Sequence, residues 1–126
     1  MSRKITVIGA GNVGATIAYT LSLDDVASEI VLIDINKDKV EGEVMDIVQG
    51  TSFREPISVI AGEYADAAGS DIVIITSGVG RKPGQTRIDL AQTNVNILTS
   101  ITPQIVSVAP KALYVIVSNP VDIMTY

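Results

Sequence analysis

Lys4-Ile5-Thr6-Val7-Ile8-Gly9-Ala10-Gly11-Asn12-Val13-Gly14 is the stretch that decides the fold. Four β-branched residues, Ile5 to Ile8, favour an extended strand. The chain then leaves the strand through glycines spaced G-x-G-x-x-G, and a helix is expected to run on to about Leu23. Each glycine has a physical task. Gly9 allows the tight turn, Gly11 lets backbone approach a pyrophosphate, and Gly14 lets helix and strand pack closely. The unpaired N–H groups at the helix start, with the helix dipole behind them, form an anion site. Asp34 stands twenty residues beyond Gly14, at the end of a second strand, Ile30-Val31-Leu32-Ile33. Its carboxylate can accept hydrogen bonds from ribose hydroxyls and would repel a 2′-phosphate, so NAD is expected rather than NADP. A ligand-free glycine-rich turn is the alternative for the triplet alone, and the strand context and the acid both weigh against it.

Outward from this unit, short β-branched runs alternate with helical stretches. A second helix is expected from about Lys37 to Gln49, with Val40, Val44, Ile47 and Val48 on one face and Gly50 as its C-cap. Residues 57–60 and 71–76 read as third and fourth strands, with a short helical turn at Tyr64 to Ala68 between them. A long helix starts near Thr86, with Ile88, Ala91, Val95, Leu98 and Ile101 on one side. Pro103 is expected to kink or restart it, with Thr102 as N-cap. Residues 113–117 form a fifth strand. In the first helix Val13, Ile17, Tyr19, Thr20 and Leu21 give an imperfect apolar face.

This alternation predicts an α/β Rossmann fold, a doubly wound parallel sheet ordered 3-2-1-4-5. The turns at 9–14, 34–36, 76–80 and 118–120 then gather along one edge, where such folds bind ligands. Asn119 suits an N-cap and Pro120 a first helical residue, so a further helix starts about two turns before Tyr126. Residues 1–126 are therefore expected to be the N-terminal, NAD-binding part of a longer protein.

Composition narrows the function. The 126 residues contain neither cysteine nor histidine, which removes thiolate chemistry, the commonest metal ligand and the most frequent general base. No metal site is expected. Nine basic against fourteen acidic residues give a net charge of −5, which argues against nucleic acid and anionic membrane as partners. Hydrophobic residues make up 47% of the chain, dominated by Val, Ile and Ala, as strands buried on both faces require. No apolar run reaches membrane-spanning length, and glycines interrupt the only segment resembling a signal sequence. A cytoplasmic protein is expected.

Two further segments fall on the ligand edge. Gly78-Val79-Gly80-Arg81-Lys82-Pro83-Gly84-Gln85-Thr86-Arg87 carries three of the nine bases within an acid-free stretch of an acidic chain. It is either a solvated basic loop or a carboxylate-reading one, for which arginine's planar fork is suited. Val117-Ser118-Asn119-Pro120-Val121-Asp122 follows the fifth strand, and by physics alone Asn119 is first a helix cap. Asp46 and Asp89 are expected to be solvated. The tyrosines and methionines need no functional account.

Taken together, Gly9 to Gly14, Asp34, Gly80 to Arg87 and Ser118 to Asp122 resemble the lactate/malate dehydrogenase family over the whole chain. That family transfers a hydride reversibly between NAD and a 2-hydroxy acid. The resemblance implies cofactor contacts at Gly9, Ala10, Gly11, Asn12, Val13, Gly14, Asp34, Gly78, Asn94, Val117, Ser118 and Asn119. It implies that Arg87 is catalytic, closing over the substrate and polarising its carbonyl, with Asn119 also touching substrate. Arg81 matches the position that reads the substrate's side chain, and arginine there looks malate-like. Lys82-Pro83-Gly84-x-Thr86-Arg87 is nonetheless shared with bacterial lactate enzymes. Malate dehydrogenase is thus the leading expectation, with L-lactate dehydrogenase and a non-catalytic NAD-binding module as alternatives. The partner is a small 2-hydroxy or 2-keto acid, and the parent is expected to be a homo-oligomer, dimer or tetramer. The family's proton-exchanging histidine, its aspartate partner and its carboxylate-binding arginine have no counterpart in these residues, so the chain alone is expected to be inactive.

Overall fold

Five β-branched runs pair in parallel into one sheet ordered β3-β2-β1-β4-β5, the order expected. The strands are β1 (Lys4–Ile8), β2 (Glu29–Ile33), β3 (Ser58–Ala61), β4 (Ile72–Ile75) and β5 (Leu113–Ile116). Three helices, α1 (Asn12–Leu23), α2 (Lys37–Gly50) and α3 (Arg87–Val108), and a 3-10 turn at Tyr64–Ala67 supply the crossovers. The structure is a computed structural model that describes residues 3–9, 12–23, 27–34, 37–50, 58–76 and 86–117. The helix expected from Pro120 lies outside them.

β1 and β2 form the centre. They pair in register, Ile5 with Ile30 and Val7 with Leu32, and their side chains point alternately into two cores. On one face Ile5, Val7, Ile30 and Leu32 pack with Ala18 of α1, Val40 and Ile47 of α2, and Val59. On the other, Ile8, Val31, Ile33, Val73 and Ile75 pack with Ala67 and with Leu98, Ile101 and Ile105 of α3. Each such side chain contributes roughly 1.5–3 kcal/mol by leaving water. Among the described residues the layer of α1 and α2 covers β1 to β3 best: on that face Ile72 and Ile74 are half-buried, while Leu113 and Val115 of β5 are exposed.

Three expectations are corrected. Of the apolar face expected on α1, Ile17 and Leu21 pack against the core, but Val13 and Tyr19 are exposed, and the fully buried positions are Gly14 and Ala18. Only small residues let this helix lie close on β1. Ile88, placed on the inner side of α3, is 81% exposed; among the described residues the packed stripe of this helix is Val95, Leu98, Ile101 and Ile105. The third is the restart expected at Pro103: the proline lies inside a continuous α3, and Thr102 is not a cap. An interior proline costs about 3 kcal/mol. Burial of Leu98, Ile101 and Ile105 on both sides of it offsets that cost. The start of α3 is fixed by a capping box: the Asp89 N–H donates to Thr86 Oγ1 at 3.1 Å and the Thr86 N–H to Asp89 Oδ2 at 3.2 Å. Asp89 is thereby a structural cap, exposed as expected.

Candidate functional site

Parallel strands bring their carboxyl ends to one edge, and backbone hydrogen bonds show how closely. The Gly9 N–H donates to Ile33 O at 2.7 Å, Thr76 N–H to Ile8 O at 2.9 Å, and Val117 N–H to Ile75 O at 2.9 Å. Residues following β2, β1, β4 and β5 therefore stand in one row. Among the expected site residues this row contains Gly9, Asp34 and Val117, with the start of α1 beside Gly9.

The turn after β1 is built by omission of side chains. Gly9 has φ +107°, a conformation that L side chains rarely adopt. A Cβ on Gly14 would lie 1.7 Å from Gly9 O and 2.8 Å from Thr76 Oγ1. The Thr76 hydroxyl shares its proton between Ile8 O and Gly9 O, both at 3.1 Å, and so ties the turn to the end of β4. α1 then leaves this point with no acidic residue in its first turn, whereas α2 and α3 carry Asp38 and Asp89 there. Its positive dipole end is thus left uncompensated by its own sequence. A close backbone and a bare helix N-terminus fit a pyrophosphate.

The second part is a cleft of about 140 Å³ after β2, lined by Ile33, Asp34, Lys37, Gly62, Glu63 and Tyr64. Gly62 is anchored to the end of β2 by its N–H, which donates to Leu32 O at 3.0 Å. Burial, and secondarily the Asp34 carboxylate, push the Tyr64 phenol above its ordinary 10.0. Lys37, at the first position of α2, forms an exposed ion pair with Glu63. Hydrogen bonding to Glu63 and its charge raise the lysine above 10.5. These three neighbours of Asp34 were not expected from the sequence. Tyr64 and Glu63 stand about thirty residues away in the chain, and only β3 pairing beside β2 brings them to Asp34.

The remaining expected residues divide. Asn94 is in α3 and is 1% exposed, and no buried side-chain polar atom among the described residues lacks a partner. Asn12 and Arg87 open α1 and α3 respectively. Ala10, Gly11, Gly78, Arg81, Ser118 and Asn119 lie outside the described residues. No group of acids able to hold a metal occurs among the described residues.

Residues 3–126 match the family described as lactate/malate dehydrogenase, NAD binding domain. The chain belongs to the lactate/malate dehydrogenase family. Within it the chain is 52% identical over 125 residues to an L-lactate dehydrogenase of Clostridium perfringens. It is 54% identical over 123 residues to one of Thermoanaerobacter pseudethanolicus. These matches cover 99% and 98% of the chain but only 39% and 40% of those relatives. The chain thus spans about two fifths of the length of its curated family relatives. Among solved structures, a minor L-lactate dehydrogenase of Enterococcus mundtii superimposes with TM-score 0.94 at 44% identity, over 99% of this chain and 40% of that one. The malate dehydrogenase of Archaeoglobus fulgidus, solved with NADH, gives TM-score 0.91 at 41% identity, over 98% and 42%. The family's fold and its NAD cofactor are those expected from the glycine turn and Asp34; the relatives favour lactate over malate.

Proposed function

We propose that these residues hold the cofactor in an L-lactate dehydrogenase, an enzyme that moves a hydride between NAD and a 2-hydroxy acid. The observation that carries this reading is the carboxyl edge itself, with Gly9 at positive φ and Gly14 too close to its carbonyl for a Cβ, beside Asp34. The identity to L-lactate dehydrogenases supports lactate over malate as the substrate. Gly9 to Gly14, with Ala10, Gly11, Asn12 and Val13 between them, would hold the pyrophosphate, and Asp34 the adenine ribose. Gly78, Asn94, Val117, Ser118 and Asn119 would complete the cofactor contacts. When bound, NAD supplies the hydride acceptor. Arg87 would polarise the substrate carbonyl, Asn119 would orient it, and Arg81 would face its side chain. Assembly of the longer protein as a dimer or tetramer, and residence in the cytoplasm, belong to the same proposal. No described helix is long and apolar enough to cross a membrane.

Arg81 keeps malate as the second reading, because a guanidinium at that position suits a second carboxylate. A chimera decides between them, with residues 1–126 replacing the matching part of the Clostridium perfringens enzyme. Pyruvate should be reduced with higher kcat/KM than oxaloacetate, and Arg81→Gln should widen the gap. Loss of one partner of a desolvated charge pair costs about 2–5 kcal/mol, or roughly thirtyfold or more. A chimera that prefers oxaloacetate, and loses that preference with Arg81→Gln, would establish malate instead. The 126-residue chain alone should bind NADH more tightly than NADPH and reduce neither keto acid, since it has no histidine to exchange the proton. Asp34→Asn should narrow that binding preference about tenfold, the scale of a hydrogen bond to a charged group. An unchanged ratio in titration calorimetry removes Asp34 from the ribose.

A further inference from the structure

Asp34 shares its cleft with a cation. Lys37 lies three residues further along the chain and lines the same space. A lysine ammonium is a good phosphate partner. Placed beside the ribose it would work against Asp34, drawing in the 2′-phosphate that Asp34 repels. The structure supplies an answer to that conflict from the other wall. Glu63 reaches across from the segment after β3 and pairs with the Lys37 ammonium. The glutamate springs from a fixed point: its own N–H donates to Asp66 Oδ2 at 2.7 Å, and the preceding Gly62 N–H is held by Leu32 O. Glu41, one helical turn beyond Lys37, adds a weaker attraction to the same ammonium.

We propose that Glu63 is a second specificity-determining residue for NAD over NADP: it keeps the Lys37 ammonium engaged, so that excluding a 2′-phosphate takes two carboxylates rather than one. This rests on the proposal that Asp34 faces the adenine ribose. With Glu63 present, the three charged side chains of the cleft carry one net negative charge. Without it they are neutral overall, and the ammonium is released on the side where the additional phosphate of NADP would sit. Lys37 and Glu63 are both largely exposed, so replacing them leaves the core untouched.

The test uses the 126-residue chain and two probes differing only in that phosphate, 5′-AMP and 2′,5′-ADP, titrated calorimetrically at low ionic strength. Glu63→Gln should improve 2′,5′-ADP binding relative to 5′-AMP about three- to fivefold, the scale of one exposed charge contact. Adding Lys37→Gln should abolish the gain, and Lys37→Gln alone should bring no gain and lower the ratio, since it leaves Asp34 and Glu63 as two uncompensated carboxylates. A ratio that Glu63→Gln leaves unmoved overturns the proposal. So does a gain that survives Lys37→Gln, which would mean that removing a negative charge is enough. Asp34→Asn tests the underlying assignment separately: if it leaves the ratio unchanged while Glu63→Gln shifts it, the ribose contact is lost and the lysine gate remains. Failure of the chain to bind 5′-AMP at all removes both.

Discussion

The turn after β1 and the cleft after β2 are neighbours on one sheet edge, joined by the Gly9 N–H to Ile33 O hydrogen bond, yet they are built by opposite means. The turn is made of backbone. Its shape follows from a positive φ at Gly9 and from the missing Cβ of Gly14, and nothing in it titrates. The cleft is made of side chains, with Asp34, Lys37, Glu63 and Tyr64 each contributing a polar or charged group. A site of the first kind should be intolerant of substitution and indifferent to pH. One of the second kind should accept substitution and respond to charge.

The largest effect expected from this contrast is that of Gly14→Ala. The new methyl would run into the Gly9 carbonyl and the Thr76 hydroxyl bonded to it, so either α1 or the turn must move. Overpacking commonly costs 1–3 kcal/mol, and with backbone as the obstacle about 3 kcal/mol or more is expected. Thermal unfolding should show a fall of roughly ten degrees. A variant as stable as the parent chain would mean that the turn is softer than described, and the contrast would dissolve.

Thr76→Val comes next. It keeps the shape and deletes the hydroxyl shared between Ile8 O and Gly9 O, for a loss of about 1 kcal/mol. The measurement is a denaturant midpoint at constant slope. An equal loss in the Gly14→Ala background would show that the two positions act independently.

The smallest effect belongs to the cleft and sharpens its side of the comparison. Burial first, and Asp34 second, raise the Tyr64 phenol above 10.0 in the folded chain. A raised folded-state value means stability that is intact below pH 10 and is lost as pH climbs through the folded value. Asp34→Asn removes only the second cause, so the Tyr64 titration should move down without returning to 10.0. Tyr114 is raised by burial alone and should stay where it is. Ultraviolet phenolate titration, with Tyr64→Phe to isolate the signal, separates the two. Movement of both tyrosines would point to a general loosening rather than to a charge.

The two regions also differ in how far the sequence discloses them. The turn is a local pattern, a strand followed by glycines at fixed spacing and a helix, and all its determinants except Thr76 lie within eleven residues. The cleft is not local. Asp34 stands out because it ends a β-branched run, but Glu63 and Tyr64 reach it only through pairing of β2 with β3, which no local pattern encodes. Elsewhere, local rules lost to packing. Pro103 breaks helices in isolation, but α3 is held on both sides of it by residues buried against the sheet. Val13 and Tyr19 matched an apolar helical face, but closeness to β1 put Gly14 and Ala18 inward instead.

Gly9, Gly14 and Thr76 carry one further consequence, for how the chain can change over generations. The gap between the Gly9 carbonyl and the Gly14 Cα has no room for a methyl, and the same carbonyl is held by the hydroxyl of Thr76. A substitution at any one of the three alters what the other two will accept. Their effects should therefore fail to add, as they do for residues sharing one contact. The three positions are an epistatic unit spread over 68 residues of chain, and selection acts on them jointly, as on a single inherited character.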